Sequence, residues 1–443
     1  MTTLPKMFRL RQHFAGGRIA DPAAGVTAEL ERVRLQNRIQ NGESVAVAVG
    51  SRGIADLPAM VDAIVRYVKA VGGRPFVVPA MGSHGGGTAD GQIAVLEGLG
   101  ISEARVGCPI VASMETETIG QSVDGLPIHF DARALAADHL ILLNRVKPHT
   151  RFTGRIQSGL LKMLMVGLGK RNGACVYHQA NQTIPFDRLI RTVVPAILAR
   201  RSVTLGIAVV ENAFDQIAII EAVDEDRLLD REPQLLETSS RLMAHLPFDQ
   251  ADLLIIDRIG KDISGTGMDT NIIGRKQNDK VAAVDEYPKV RHIYVRGLTE
   301  ASRGNAAGIG LAEFCRSDLV DQMDQEATRV NALSAGHVSA AAIPIHYATD
   351  REVLEAAITQ SGLTPPEDVR WMWIRDTLHL SEVLCSAAFY GDALRRDDLD
   401  VLDQPTPLEF DAAGQLVERF TGAPVVEASE ADLRRDWIAE EEA

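Results

Sequence analysis

Aromatic residues make up only 5% of the 443-residue chain, and its four cysteines, Cys108, Cys175, Cys315 and Cys385, lie far apart with no paired spacing. That pattern excludes a disulfide framework and predicts reduced thiols in a cytoplasmic protein. Cys175 and His178 could give two metal ligands, but no second pair follows to close a tetrahedral zinc site. No run approaches the roughly 18 apolar residues of a membrane span, and the opening MTTLPKMFRLRQHF lacks the apolar stretch of a secretory leader. Cations are in deficit: Lys plus Arg is 46 against 60 for Asp plus Glu, a formal charge of −14. Such a field repels phosphate backbones and anionic lipid, so neither nucleic acid nor membrane is expected as a partner. Also missing are a GxGxxG at the first strand–helix turn, a GxxxxGK[ST] loop and a GxSxG elbow. Dinucleotide, phosphate-loop and hydrolase-elbow readings therefore lack their fingerprints.

What is present is globular: 46% hydrophobic and 24% charged residues, in a length that suits two domains. Short apolar runs alternate with amphipathic ones, the pattern of parallel sheets with crossover helices. Strands are expected at 44–50, 75–80, 139–144, 203–210, 253–256 and 292–295, and helices at 57–71, 92–99 and 189–200. A buried helix is expected to begin in 160–168. The pattern restarts near 245–252, so the expectation is two α/β domains with mainly parallel sheets and the active site in the cleft between them. Residues 1–247 would form a catalytic and cofactor-binding domain and 248–395 a second domain. Residues 396–443 would be a tail packing back on the first domain, with its acidic end at 427–443 a solvated helix.

Ligands of such sheets gather at the carboxyl ends of strands, where helix N-termini and free amides converge. Four polar clusters directly follow strands: Ser51-Arg52-Gly53, the loop from Gly82 to Thr88, Lys147-Pro148-His149-Thr150, and Gly260-Lys261-Asp262. The forty-eight residues 139–186 contain no Asp or Glu, where the chain average would place about six or seven, yet keep Arg145, Lys147, Arg151, Arg155, Lys162, Lys170 and Arg171. Removing acids while retaining bases predicts a local anion site inside an acidic protein. His84 sits among glycines that let backbone approach a ligand, and His149 follows a proline that fixes its approach. Lys162 lies within LLKML. Burial there is costly unless the amine is paired, depressed in pKa or covalently consumed, the alternative being a lysine that snorkels to solvent.

In order and spacing, SRG, GSHGGGT, PHT…SGLLKM…YH and GKD resemble the nickel-pincer lactate racemase family over most of residues 40–270. The resemblance implies an isomerase, a racemase or epimerase that removes a hydride from a 2-hydroxy acid and returns it to the other face. The implied cofactor is nickel held in a pyridinium-3,5-bisthiocarboxylic acid mononucleotide, loaded by cofactor-biosynthesis proteins. It further implies that Lys162 carries this group covalently and that His178 ligates the metal. His84 and His149 would be the acid/base pair, with Ser51, Arg52 and Lys261 contacting cofactor or substrate. Two positions depart from the family pattern. Val49 stands where the first-strand motif usually has Asp, and His84 is followed by Gly85 rather than Arg. A substrate larger than lactate, an aldonate or hydroxy-dicarboxylate, is therefore expected.

Two other classes compete. KPHT…LLKMLMVGLG also resembles a lysine–histidine segment of a family often linked to iron–sulfur domains, which would make the chain a redox protein without isomerase activity. Only Cys175 lies near these loops, however, and a cluster needs about four thiolates. A hydrolase would use Ser83, or a metal bound by His84, His149 and His178.

Overall fold

The computed structural model describes residues 3–420, and the acidic tail expected at 427–443 lies outside them. The described residues divide into two compact α/β units, one of 15–243 and one of 3–14 with 244–420. No helix among the described residues is long and apolar enough to cross a membrane.

The first unit is built on a five-stranded sheet in the order Arg74–Pro79, Ser44–Val49, His139–Arg145, Leu205–Glu211, Ile217–Val223. The first four strands run parallel and the last is antiparallel. Both faces are covered, which is why these strands read as unbroken apolar runs rather than alternating ones. Ala46, Ala48, Leu140 and Leu142 face a core that includes Leu189, Val193 and Ile197 of helix Phe186–Leu198. Val45, Val47, Ile141 and Leu143, in alternate register, face Met60, Ile64 and Val68 of helix Leu57–Ala70. Three adjacent parallel strands, Arg74–Pro79, Ser44–Val49 and His139–Arg145, thus end at one edge, and three of the four polar clusters follow them.

The buried run at 160–168 departs from a plain helix. One α-helical turn, Leu160–Lys162, passes into a π-helical turn, Met163–Gly167, in which the Leu168 N–H donates to Met163 O five residues back at 2.9 Å. An apolar run cannot distinguish these windings; the close backbone approach of this segment to the neighbouring loop does. A Cβ on Gly167 would lie 2.6 Å from Ala80 O, and Gly82 N–H donates to Gly167 O at 3.1 Å. Such π turns recur at functional sites.

The second unit carries an eight-stranded sheet in the order Ile345–Tyr347, Phe314–Arg316, Lys289–Val295, Gln250–Ile256, Trp371–Ile374, Glu382–Ser386, Met7–Gln12, Leu399–Val401. The first five strands are parallel and the remaining pairings antiparallel. Two boundaries therefore differ from the expected 1–247 and 396–443. Met7–Gln12 pairs with Glu382–Ser386, and Leu399–Val401 pairs with Met7–Gln12. The N-terminal strand and the described part of the tail complete the second unit's sheet.

Candidate functional site

Ser51, His84, His149, Lys162 and His178 all lie in the first unit, on segments placed by its sheet edge. The loop bearing His84 turns through Gly82, Gly85, Gly86 and Gly87, with φ of +60°, +64°, +68° and +65°, a backbone that side-chain-bearing residues adopt at a cost. It is fixed from beneath. The buried Gln92 donates to Gly82 O at 2.9 Å and to His84 O at 3.4 Å. Lys170 Nζ in turn donates to Gln92 Oε1 at 3.2 Å and to Pro79 O at 2.6 Å, and pairs with Asp131 at 3.0 Å, both partners fully buried. The His84 ring meets the neighbouring strand end through a short hydrogen bond between Nδ1 and Ser51 Oγ.

His149 is held differently. Its Nδ1 accepts the backbone N–H groups of Arg151 at 3.0 Å and Phe152 at 3.1 Å, and its ring stacks on Phe152 with centroids 4.1 Å apart. Phe152 is the hub of the site. It also stacks on Phe186 at 3.9 Å, lies 6.4 Å from the His178 ring, and carries Lys162 Nζ 4.8 Å from its centroid. A lone aromatic in a polar loop gave no sequence signal for this role; only its place between PHT and the apolar run hints at it.

The Lys162 amine has no hydrogen bond or carboxylate partner among the described residues. Burial, with the Arg52 cation adding to it, pushes its pKa down to about 7. His84 and His178 are both exposed, yet partial burial of the rings lowers each, His84 also through Arg52, Lys162 and His178, and His178 also through Lys162. The group is thus a cluster of nitrogen bases held toward their neutral forms. Below it, Asn144 Nδ2 donates to Gly159 O at 2.7 Å. The buried Glu232 carboxyl accepts Leu161 N–H at 3.0 Å, capping the turn that leads to Lys162. Burial pushes Glu232 up to about 8.

The acid-free segment is less uniformly cationic than its composition suggests, because among the described residues carboxylates from elsewhere reach at least three of its bases. Lys170 pairs with Asp131, Arg145 forms a short bond with Glu211, and Lys147 lies 3.9 Å from Asp215. Lys162 stays outside these pairs. Arg52 is exposed, and partial burial of its head group with the Arg145 charge pushes it below its usual value. Lys261 belongs to the second unit, where its ammonium donates to Gly265 O at 2.6 Å and its backbone N–H to Ser302 Oγ at 3.0 Å.

Among the described residues no three His, Cys, Asp or Glu side chains gather as a ligand set for a metal ion, so His84, His149 and His178 do not form a zinc site of the hydrolase kind. Ser83 is exposed, and the hydroxyl that meets His84 is that of Ser51. All four cysteines are unpaired, with Cys175 exposed and the others buried.

Fold and site together define a two-unit, mainly parallel α/β protein with a cluster of histidines around an unpaired, nearly neutral lysine. The chain belongs to the family described as domain of unknown function DUF362, whose model matches residues 49–271, just over half of it. No curated protein matches it. Seven chains of solved structures do. One is the lactate racemase apoprotein from Thermoanaerobacterium thermosaccharolyticum, 14% identical, with 75% of this chain and 81% of that one covered and a TM-score of 0.46.

Proposed function

We propose that the protein is an isomerase, a racemase or epimerase of a 2-hydroxy acid, that holds a nickel-pincer nucleotide on Lys162. The observation that carries this reading is the amine itself: half-buried, without a hydrogen-bond or ion-pair partner among the described residues, and lowered to about 7. An unpaired ammonium at that depth is a cost the fold would shed by substitution; a neutral amine is a nucleophile ready for covalent attachment. The donor set suits the group, since imidazole is a good nickel ligand and His178 stands beside the same Phe152 ring. When bound, that group would supply the hydride acceptor and donor, chemistry that no side chain offers.

The chain's own residues do the rest. His84 and His149 handle the hydroxyl proton and oxygen of the substrate, and Arg52 offers a cation for its carboxylate. Phe152 and Phe186 wall off one side with apolar surface, strengthening the electrostatics within. The substrate class this reading takes is an aldonate or hydroxy-dicarboxylate, because no cation follows His84; the Cβ direction of Gly85 is itself filled by the Gly91 and Gln92 backbone at 2.5–2.7 Å.

The test is intact mass and metal content of protein from cells that co-express cofactor biosynthesis. Added mass on a Lys162 peptide together with nickel supports the reading, as does loss of both in Lys162→Ala. Iron in place of nickel would favour the redox class, and zinc a hydrolase. Chiral separation after incubation with a panel of 2-hydroxy acids tests the substrate, and inversion of lactate alone would reject the larger one.

A further inference from the structure

The two histidines assigned to the proton are held by different partners. His149 Nδ1 accepts two backbone N–H groups, from Arg151 and Phe152. That nitrogen must therefore carry a lone pair, and the single proton of the neutral ring sits on Nε2. A ring in this state can donate from Nε2 but cannot accept a proton there. His84 has no such constraint. Its Nδ1 faces a hydroxyl, Ser51 Oγ, which accepts an N–H as readily as it donates. With Nδ1–H donating to Ser51, the His84 Nε2 is left with its lone pair, and the same hydrogen bond persists once the ring is protonated.

The backbone reinforces the difference. His84 N–H donates to Met81 O at 3.1 Å, and its carbonyl is held by Gln92, so Ser51 is the one partner among the described residues that orients the ring. Ser51 itself follows strand Ser44–Val49, the sheet neighbour of the strand that precedes His84. Burial first, and then the neighbouring Arg52 cation, disfavour a resting imidazolium at His84, so the ring rests neutral with a nitrogen lone pair.

We infer that His84, oriented by Ser51, is the single proton acceptor and donor of the site, and that His149 is a fixed hydrogen-bond donor. This rests on the reading of the site as a hydroxy-acid isomerase. In the forward step the substrate O–H bond breaks and an N–H bond forms on His84 Nε2, with the electron pair staying on oxygen; the return step reverses this. Ser51 is then a positioning residue rather than a contact to cofactor or substrate.

The experiment reads tautomers in full-length, cofactor-free protein labelled with ¹⁵N-histidine, by long-range ¹H–¹⁵N correlation at pH 8. His84→Gln and His149→Gln assign the two rings. The expected result is His84 protonated on Nδ1 and His149 on Nε2. Ser51→Ala should shift His84 toward the Nε2–H form while His149 stays unchanged, and Ser51→Thr should restore it. In cofactor-loaded protein His149→Gln, which keeps a donor, should retain turnover within about tenfold, whereas His84→Gln should lose about a hundredfold or more. A proton on Nε2 of His84 in the wild type, an unaltered His84 in Ser51→Ala, or equal losses in the two Gln variants would overturn the inference. If loaded wild-type protein inverts no 2-hydroxy acid, the functional reading fails by itself, and the tautomers still decide how the two rings are held.

Discussion

If the Lys162 amine is held near pKa 7 by burial and by Arg52, its reactivity toward an acylating or reductively methylating reagent must follow a pH curve unlike that of other lysines. Between pH 6 and pH 9 the neutral fraction of such an amine climbs from roughly 0.1 to nearly 1, about tenfold, and then levels off. An ordinary ε-amine, titrating near 10.4, climbs about a thousandfold over the same interval and is still rising. The shape of the curve is the discriminating quantity. Absolute rates are blurred by partial burial and by the lower nucleophilicity of a weaker base, whereas a plateau is not.

The assay is trace labelling of cofactor-free protein at half-unit pH steps, quenched and quantified peptide by peptide by mass spectrometry, with the same Lys162 peptide labelled in urea-unfolded protein as the reference. A Lys162 midpoint near 7 with a plateau above pH 8 is expected, and Arg52→Gln should move the midpoint upward by removing the cation. Labelling of Lys162 that rises tenfold per pH unit through pH 9, parallel to the unfolded reference, would mean a solvated or paired ammonium. It would refute both the electrostatic argument and the choice of this residue as the attachment point. Because the folded amine binds its proton more weakly than the unfolded one, the native state should also gain stability as pH rises from about 7 to 10.5.

Glu232 carries the opposite linkage. With its folded pKa raised to about 8 from 4.5, the native state holds a proton that the unfolded chain releases, and stability should fall as pH rises from about 4.5 to 8, by on the order of 5 kcal/mol. Glu232→Gln keeps an acceptor for Leu161 N–H and should flatten that slope in urea unfolding across pH 5–9; an unchanged slope would place the dependence elsewhere. Gly159→Ala should destabilise the first unit by at least about 1–3 kcal/mol, since φ is +102° and an added Cβ would lie 2.8 Å from the Glu232 carboxyl; circular dichroism melts would register it. Lys170→Met strands the buried Asp131 carboxylate and should cost about 3–5 kcal/mol. It should also loosen the His84 loop, visible as faster amide exchange at residues 82–88, and unchanged protection there would detach Lys170 and Gln92 from that loop.

How much of this was legible in the sequence depends on how local the cause is. Strands such as Ser44–Val49 and His139–Arg145 announce themselves because burial on both faces leaves an apolar run. Lys162 announces itself because a charge amid leucines is a conflict wherever the chain folds. Met7–Gln12 could not be assigned to the second unit, since its partner lies some 370 residues away and a strand edge carries no address. The pairing of Lys170 with Asp131 was hidden for a related reason: the acid lies outside the acid-free window, and a long-range backbone bond, from Asp131 N–H to Leu168 O at 2.7 Å, sets it beside the lysine.

The Ser51–His84 bond shows the same rule at the site. Thirty-three residues separate the two side chains, but the parallel pairing of their strands places both loops at one sheet edge. A reader of the sequence sees Ser83 beside His84 and considers it first, because adjacency in the chain is visible and adjacency across a sheet is not. Parallel order inverts that priority. Neighbouring residues on one loop rarely reach each other with good geometry, whereas residues just past the ends of adjacent parallel strands are brought within reach by the ladder itself. In a sheet of this kind, candidate partners for a loop histidine are better sought one strand over than one residue along.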